Sequence, residues 1–276
     1  MELSLQKNLT INGISIGSAA TSLWLQELNT LLDIGKIQFY SKAISSMNVL
    51  LSHGHMDHAA SLPYYLAART LFRMPAPNIY VHPDIAEDIE TILKTWQKLD
   101  HCTYNYKLNA LEFNTFYPLK TGYSFQAVPV IHRVPAVGYT IYEDRKKLKL
   151  EYQHLAEHEI CHLRHIGTEV SAMQHFPLLS FTGDCTFESF QNTSIFHNSK
   201  YLFIECTFWN EKKSQDHAKR WGHIHWKDIC ENPQAFCNNE KVILIHYSPR
   251  YSIDYINRLV QQECPENLKK KIIIFS

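Results

Sequence analysis

The sequence predicts an α/β protein whose buried strands carry metal-binding side chains to one crevice, and three observations predict it. Of the 276 residues, 45% are hydrophobic and 20% charged, enough apolar side chain for a sizeable core. Five short apolar runs each lead into a histidine or an aspartate. The densest of these endings, His53-Gly54-His55-Met56-Asp57-His58, opens directly onto a helical pattern.

In chain order, Thr30-Leu31-Leu32 leads into Asp33, with Gly35 just beyond, and Asn48-Val49-Leu50-Leu51-Ser52 leads into His53. Ala127-Val128-Pro129-Val130-Ile131 leads into His132. Leu178-Leu179-Ser180-Phe181 leads through Thr182-Gly183 into Asp184, and Lys241-Val242-Ile243-Leu244-Ile245 leads into His246. Strand ends let a rigid sheet aim side chains from distant sequence positions into one place. A helix is expected from Asp57 to about Ala68, with Ala59, Ala60, Leu62 and Leu66 at apolar positions. Asp57 in that setting also suits an N-cap. His53 and His55, two apart on an extended or looped backbone, can point the same way and grip one ion.

Imidazoles and carboxylates without a thiolate pair suit Zn²⁺ first, with Mn²⁺ or Fe²⁺ as alternative occupants. The set exceeds what one tetrahedral ion uses, which points to two ions sharing a water. Such a pair lowers the water's pKa and clamps attacking and leaving oxygens.

Composition narrows the partners. Lys plus Arg and Asp plus Glu balance at 27 each, which argues against a nucleic-acid binder that relies on bulk charge. Local basic runs remain: Arg145-Lys146-Lys147 with Lys149, Lys212-Lys213 with Lys219 and Arg220, and Lys269-Lys270-Lys271. The ordinary reading of each is a solvated face. No apolar run approaches the roughly 20 residues that span a bilayer, and no leader pattern opens the chain, so no membrane partner is expected. Seven cysteines without a Cys-x-x-Cys pair make no disulfide framework and point to a reducing cytoplasm. With no linker or repeat, residues 1–276 read as one domain.

On the His53–His58 segment and its strand-end partners, the chain resembles the metallo-β-lactamase superfamily, and within it ribonuclease Z, the tRNA 3′-processing endonucleases. The resemblance runs from the N-terminal strands to Tyr251. It implies a four-layer αβ/βα sandwich of two mixed β-sheets, with helices outside and the metal site at one edge. It also implies that His53, His55 and His132 hold a first metal, that Asp57, His58 and His246 hold a second, and that Asp184 bridges both. Asp33 would steady the loop carrying His53 to His58 without touching a metal. Three elements resemble ribonuclease Z in particular: His132 followed by Gly138-Tyr139, His246-Tyr247-Ser248-Pro249-Arg250-Tyr251, and Glu205-Cys206-Thr207-Phe208 followed by Gly222-His223. In the last, His223 would support the leaving group and Glu205 would orient it, joining Asp57 as catalytic residues. A histidine held by a carboxylate suits protonation of a departing ribose oxygen near neutral pH. The ordinary alternatives are a surface acid ending the Tyr201–Ile204 strand and a loop histidine, and His225 competes with His223.

The chain departs from the longer bacterial pattern between Glu143 and Phe176. With one glycine, Gly167, that stretch carries no Gly/Pro-rich arm and resembles armless relatives. It reads as a basic strand, Lys146 to Leu150, and then a helix over His154 to His165. Its histidines 154, 158, 162 and 165 share a face, which is ordinarily a solvated one. Cys185 and Cys206, beside expected site residues, read as packing thiols. Tyr247, Tyr251 and Trp209 are expected either to stack on bases or to pack in the core. The leading expectation is a two-metal phosphodiesterase acting on precursor tRNA as a homodimer. One alternative is a phosphodiesterase of small or cyclic nucleotide esters, and another is a catalytically silent RNA-binding relative.

Overall fold

The computed structural model describes residues 1–6, 9–37 and 42–276. One sheet holds β1 (Glu2–Gln6), β2 (Leu9–Ile16), β3 (Ala20–Leu25), β4 (Thr30–Leu32), β5 (Asn48–Leu50), β6 (Asn78–Val81) and β7 (Lys107–Ala110), side by side in chain order. The other holds β8 (Phe116–Lys120), β9 (Tyr123–Val130), β10 (Ala136–Leu148), β11 (Ser171–Phe181), β12 (Tyr201–Glu205), β13 (Lys241–Ile245) and β14 (Ile272–Ile274). In both, the early neighbours pair antiparallel and, from β4 or β11 onward, the later ones pair parallel.

Helices α1 (Met56–Ala59), α2 (Leu62–Leu71) and α3 (Ala86–Asp100) belong to the first sheet, and α4 (Glu157–His165) lies between β10 and β11. The second sheet carries α5 (Phe187–Asn192), α6 (Ser194–Asn198), α7 (Gln215–Arg220), α8 (Trp226–Glu231), α9 (Ile253–Glu263) and α10 (Glu266–Lys269).

Strand periodicity explains the layering. Leu50, Phe203 and Ile243 point between the sheets, where they meet Tyr80, Phe125, Tyr139 and Phe181. Their chain neighbours point outward: Val49 and Leu51 pack on Tyr65, Leu66 and Leu93 of α2 and α3. Leu202, Ile204, Val242 and Leu244 likewise pack with Phe190, Trp226 and Ile256 on the other side. Successive side chains on a strand face opposite ways, so strands covered on both faces read as unbroken apolar runs. The result is the expected four-layer αβ/βα sandwich.

Two expected helices differ from the structure. The one from Asp57 to about Ala68 is split into α1 and α2, because Pro63 has no N–H for the Ala59 carbonyl and its ring clashes there. Asp57 is not an N-cap: that position belongs to His55, and Asp57 Oδ2 accepts from the Ser18 amide at 2.7 Å. The helix over His154 to His165 begins only at Glu157, where Glu159 accepts from the Ala156 N–H at 2.8 Å. His154 lies in the preceding turn, so the shared face is shorter, and all four histidines are exposed. In place of a Gly/Pro-rich arm, 143–176 forms the exposed outer end of the β10–β11 hairpin, tipped by α4; the basic strand ends at Leu148.

Candidate metal centre

The ends of β4, β5, β9, β11, β12 and β13 meet at one edge of the sandwich, and the residues just past them converge. His53, His55, His132 and Asp184 offer ligand atoms all within 4.8 Å of one another, and so do Asp57, His58 and His246. Asp184 stands between the groups: its Oδ2 is 3.8 Å from His53 Nε2, 3.5 Å from His58 Nε2 and 3.3 Å from His246 Nε2. All seven residues expected to hold metal are thus together. Asp33 lies behind them.

Hydrogen bonds outside the cluster turn each imidazole inward. His58 Nδ1 donates to Asp33 Oδ2 at 2.6 Å. Ser52 Oγ donates to the same carboxylate at 2.7 Å and so accepts from His53 Nδ1 at 3.0 Å. His132 Nδ1 donates to the Gly222 carbonyl at 2.8 Å, and His246 Nδ1 donates to Thr207 Oγ1 at 2.9 Å. With Nδ1 tied to a partner behind it in all four, every Nε2 is aimed into the site, where a metal ion would take the place of any proton it carries.

These nitrogens fit a cation and little else. His53 Nε2 and His132 Nε2 lie 3.0 and 3.4 Å from His55 Nδ1, which has at most one proton to share between them. His58 Nε2 is buried with no hydrogen-bond partner, 3.5 Å from one carboxylate and 3.8 Å from another. Burial holds His53 well below the ordinary imidazole range and lowers His55 and His132, which keeps three ligands neutral near pH 7. Burial also opposes a charge on His58, but Asp184 and Asp33 outweigh it and push that imidazole up to about 9. Asp57, despite burial, is held down at about 2 by His246 and His58. The cluster has a surplus of negative charge that a divalent ion would neutralise.

Beside it, Glu205 is fully buried at the end of β12 and accepts from His223 Nδ1 at 2.8 Å. The same carboxylate accepts from the Cys185 amide at 3.2 Å, the Thr207 amide at 3.1 Å and the Thr207 hydroxyl at 2.7 Å. Burial disfavours charge on His223, yet Glu205 overrides it and raises the imidazole to about 9. His223 Nδ1 is 3.9 Å from Asp184 Oδ2. His225 is elsewhere: it caps α8, accepting from the Lys227 amide at 3.1 Å, while its other nitrogen faces the Asn210 carbonyl at 3.2 Å.

Sequence reasoning missed the residues that aim the ligands. Thr207 links Glu205 to His246, and Ser52 links Asp33 to His53; hydroxyls are too common for any pattern to single them out, although Ser52 adjoins His53. Of the aromatic residues expected near the site, Trp209 is buried against Trp226 and Tyr251 against Tyr255, so both pack rather than offer a free face. Tyr247 is buried as well. Burial pushes the Cys185 and Cys206 thiols well up, as packing thiols require.

The backbone is held where function would use it. Asp33 (φ 58°) and His246 (φ 58°) are left-handed, a conformation that costs non-glycine residues about 1–3 kcal/mol. Gly35 leaves room for α1, since a Cβ there would lie 1.7 Å from the Asp57 carbonyl oxygen.

No family model matches the chain. A tRNase Z of Arabidopsis thaliana is 33% identical over 252 residues, covering 91% of this chain and 89% of that protein. The metallo-β-lactamase fold protein YhfI of Bacillus subtilis superposes with a TM-score of 0.61 at 17% identity, over 95% of this chain and 94% of its own. The short form of human tRNase Z superposes with a TM-score of 0.62 at 15% identity, over 95% and 94%. Two mixed sheets in the metallo-β-lactamase arrangement, a metal-ligand cluster at their edge and this identity over most of both sequences place the chain in the ribonuclease Z (tRNase Z) family of metal-dependent hydrolases.

Proposed function

We propose that this chain is a two-metal endoribonuclease that cuts precursor tRNA on the 3′ side. His53, His55 and His132 would hold one ion and Asp57, His58 and His246 the other, with Asp184, between the two groups, available to both. The single observation that carries it is the buried Glu205–His223 pair, 2.8 Å apart and beside Asp184. When bound, the two ions supply a water that ionises near neutral pH and neutralise charge growing on the phosphate. Water oxygen joins phosphorus as the bond from phosphorus to the ribose 3′-oxygen breaks in line. His223, kept protonated at neutral pH by Glu205, gives its proton to that departing oxygen. The RNA on the 5′ side then ends in a 3′-hydroxyl, and the trailing piece begins with a 5′-phosphate. Thr207 keeps Glu205 and His246 in register while this happens.

The donor set of imidazoles and carboxylates supports zinc, with manganese or iron as lesser fits. Seven free cysteines support a reducing cytoplasm, and the continuous apolar layers support a single domain over 1–276. No helix among the described residues is long and apolar enough to cross a membrane. A homodimer is supported by α3, whose Ile92, Trp96 and Leu99 form a stripe 48%, 46% and 65% exposed. Its first half carries Glu87, Asp88 and Glu90 and its second half Lys98 and Asp100, with Lys94 paired to Glu90 at 3.3 Å, so two copies packed antiparallel about a two-fold would bring Lys98 of each toward the acidic first turn of the other.

Assaying zinc-loaded protein against a 3′-extended tRNA precursor, cyclic nucleotides and an activated aryl phosphodiester tests this reading. Efficient turnover of the precursor to a 3′-hydroxyl end is expected. Efficient turnover of only the small esters would replace the tRNA assignment with a small-phosphodiester one.

A further inference from the structure

We propose that Arg133 and Trp221 form a grip for the nucleotide on the 5′ side of the scissile phosphate; the inference rests on the phosphodiesterase reading above. The Arg133 guanidinium lies 4.3 Å over the Trp221 ring, and the indole remains 43% exposed. Backbone ties both to the site. Arg133 directly follows His132, and Trp221 directly precedes Gly222, whose carbonyl receives the His132 Nδ1 proton at 2.8 Å. A Cβ on Gly222 would stand 3.0 Å from the Arg133 amide nitrogen, so the two segments touch. On the far side of Gly222 is His223.

That placement fixes which part of the RNA the pair meets. The oxygen that His223 protonates belongs to the upstream nucleotide, so the surface flanking His223 must receive that nucleotide. An indole face takes a base of any identity by stacking, and a guanidinium takes a backbone phosphate in two-pronged fashion. Stacking on Trp221 holds Arg133 in one orientation, which lowers the ordering cost on binding.

The surrounding charge agrees. Arg133 has no carboxylate partner among the described residues, and neither do Lys213, Arg220 and Arg250. Their basic neighbours are neutralised: Lys219 pairs with Glu188 at 2.7 Å, and Lys227 pairs with Glu211. The charges of Lys213, Arg220 and Arg250 all bear on His217, whose ring lies 6.1 Å from that of Trp221. Unpaired cations and an exposed aromatic therefore adjoin beside the leaving-group histidine, on a protein of zero formal net charge.

The test compares Trp221→Ala, Trp221→Phe and Arg133→Ala with wild type on a 3′-extended tRNA precursor and on bis(p-nitrophenyl) phosphate, with bound metal measured in parallel. Trp221→Ala should raise KM for the precursor about tenfold, several times its effect on the small ester, and Trp221→Phe should recover most of that loss. Arg133→Ala, at a surface position that leaves the indole in place, should flatten the salt dependence of precursor KM by about one phosphate contact. Losses of equal size on both substrates, or an unaltered precursor KM in both alanine variants, overturn the grip. A wild-type protein that leaves the precursor uncut is a different result, which removes the tRNA reading and the grip with it.

Discussion

The chemistry of this site turns on what each carboxylate is paired with. Asp33 aims His58, Glu205 aims and charges His223, and Asp57 and Asp184 face imidazole nitrogens. The Glu205–His223 pair gives a pH prediction. His223 is raised from an ordinary 6.5 to about 9 because the Glu205 carboxylate outweighs burial. Its proton is therefore held throughout the neutral range and is lost as pH rises through about 9, taking leaving-group assistance with it. In Glu205→Gln the main group that raises it is gone, and burial, which lowers an imidazole pKa, outweighs the remaining pull of Asp184. The alkaline limb of the kcat profile should move down by about one unit or more in that variant. Identical limbs in the two proteins would mean that His223 does not protonate the leaving group. Legibility in the sequence differs by residue. His53 to His58 stands out because four potential ligands seldom fall within six residues unless they bind metal. His223 and His225 cannot be separated in the sequence, since the choice depends on which one a capping position claims.

At the scale of elements, strand ends deliver ligands and loops aim them. The runs ending at Leu32, Phe181 and Ile245 are readable because strands buried on both faces leave unbroken apolar stretches. The helix after His58 is not, because the periodicity of Ala59, Leu62 and Leu66 continues through Pro63 although the hydrogen bonds cannot. The loop after α7 shows how aiming depends on backbone. Gly222 has φ 76°, and a Cβ there would fall 2.6 Å from His132 Nδ1. Gly222→Ala should therefore displace the carbonyl that fixes the His132 tautomer and weaken metal retention by about tenfold or more, as loss of a partner behind a ligand usually does. Dialysis against a chelator would show it. Retention equal to wild type would assign His132 some other means of alignment.

Across the whole molecule, two sheets of the same plan face each other, and the active edge is where both present strand ends. Overall composition does not foretell RNA as substrate, since charge balances; Lys213 and Arg220 stand in a basic run of the sequence, but only folding leaves them unpaired while Lys219 is neutralised, and brings Arg250 near them. The α3 stripe is equally hidden, because Ile89, Ile92, Leu93, Trp96 and Leu99 are all apolar and only folding decides that α3 buries Ile89 and Leu93 and exposes the other three. If two copies pack there, Trp96→Glu should give a monomer by light scattering while the wild type gives a dimer. Equal masses would discard that surface.

Everything proposed for this site depends on His53, His55, Asp57, His58, His132, Asp184 and His246 together holding two divalent ions. Elemental analysis of the purified protein, of Asp184→Ala and of His223→Ala tests it most directly. About two ions per chain are expected in the wild type and in His223→Ala, the latter turning over far more slowly, with loss of metal and activity together in Asp184→Ala. Well under one ion per wild-type chain, with no recovery on adding zinc or manganese, would contradict it.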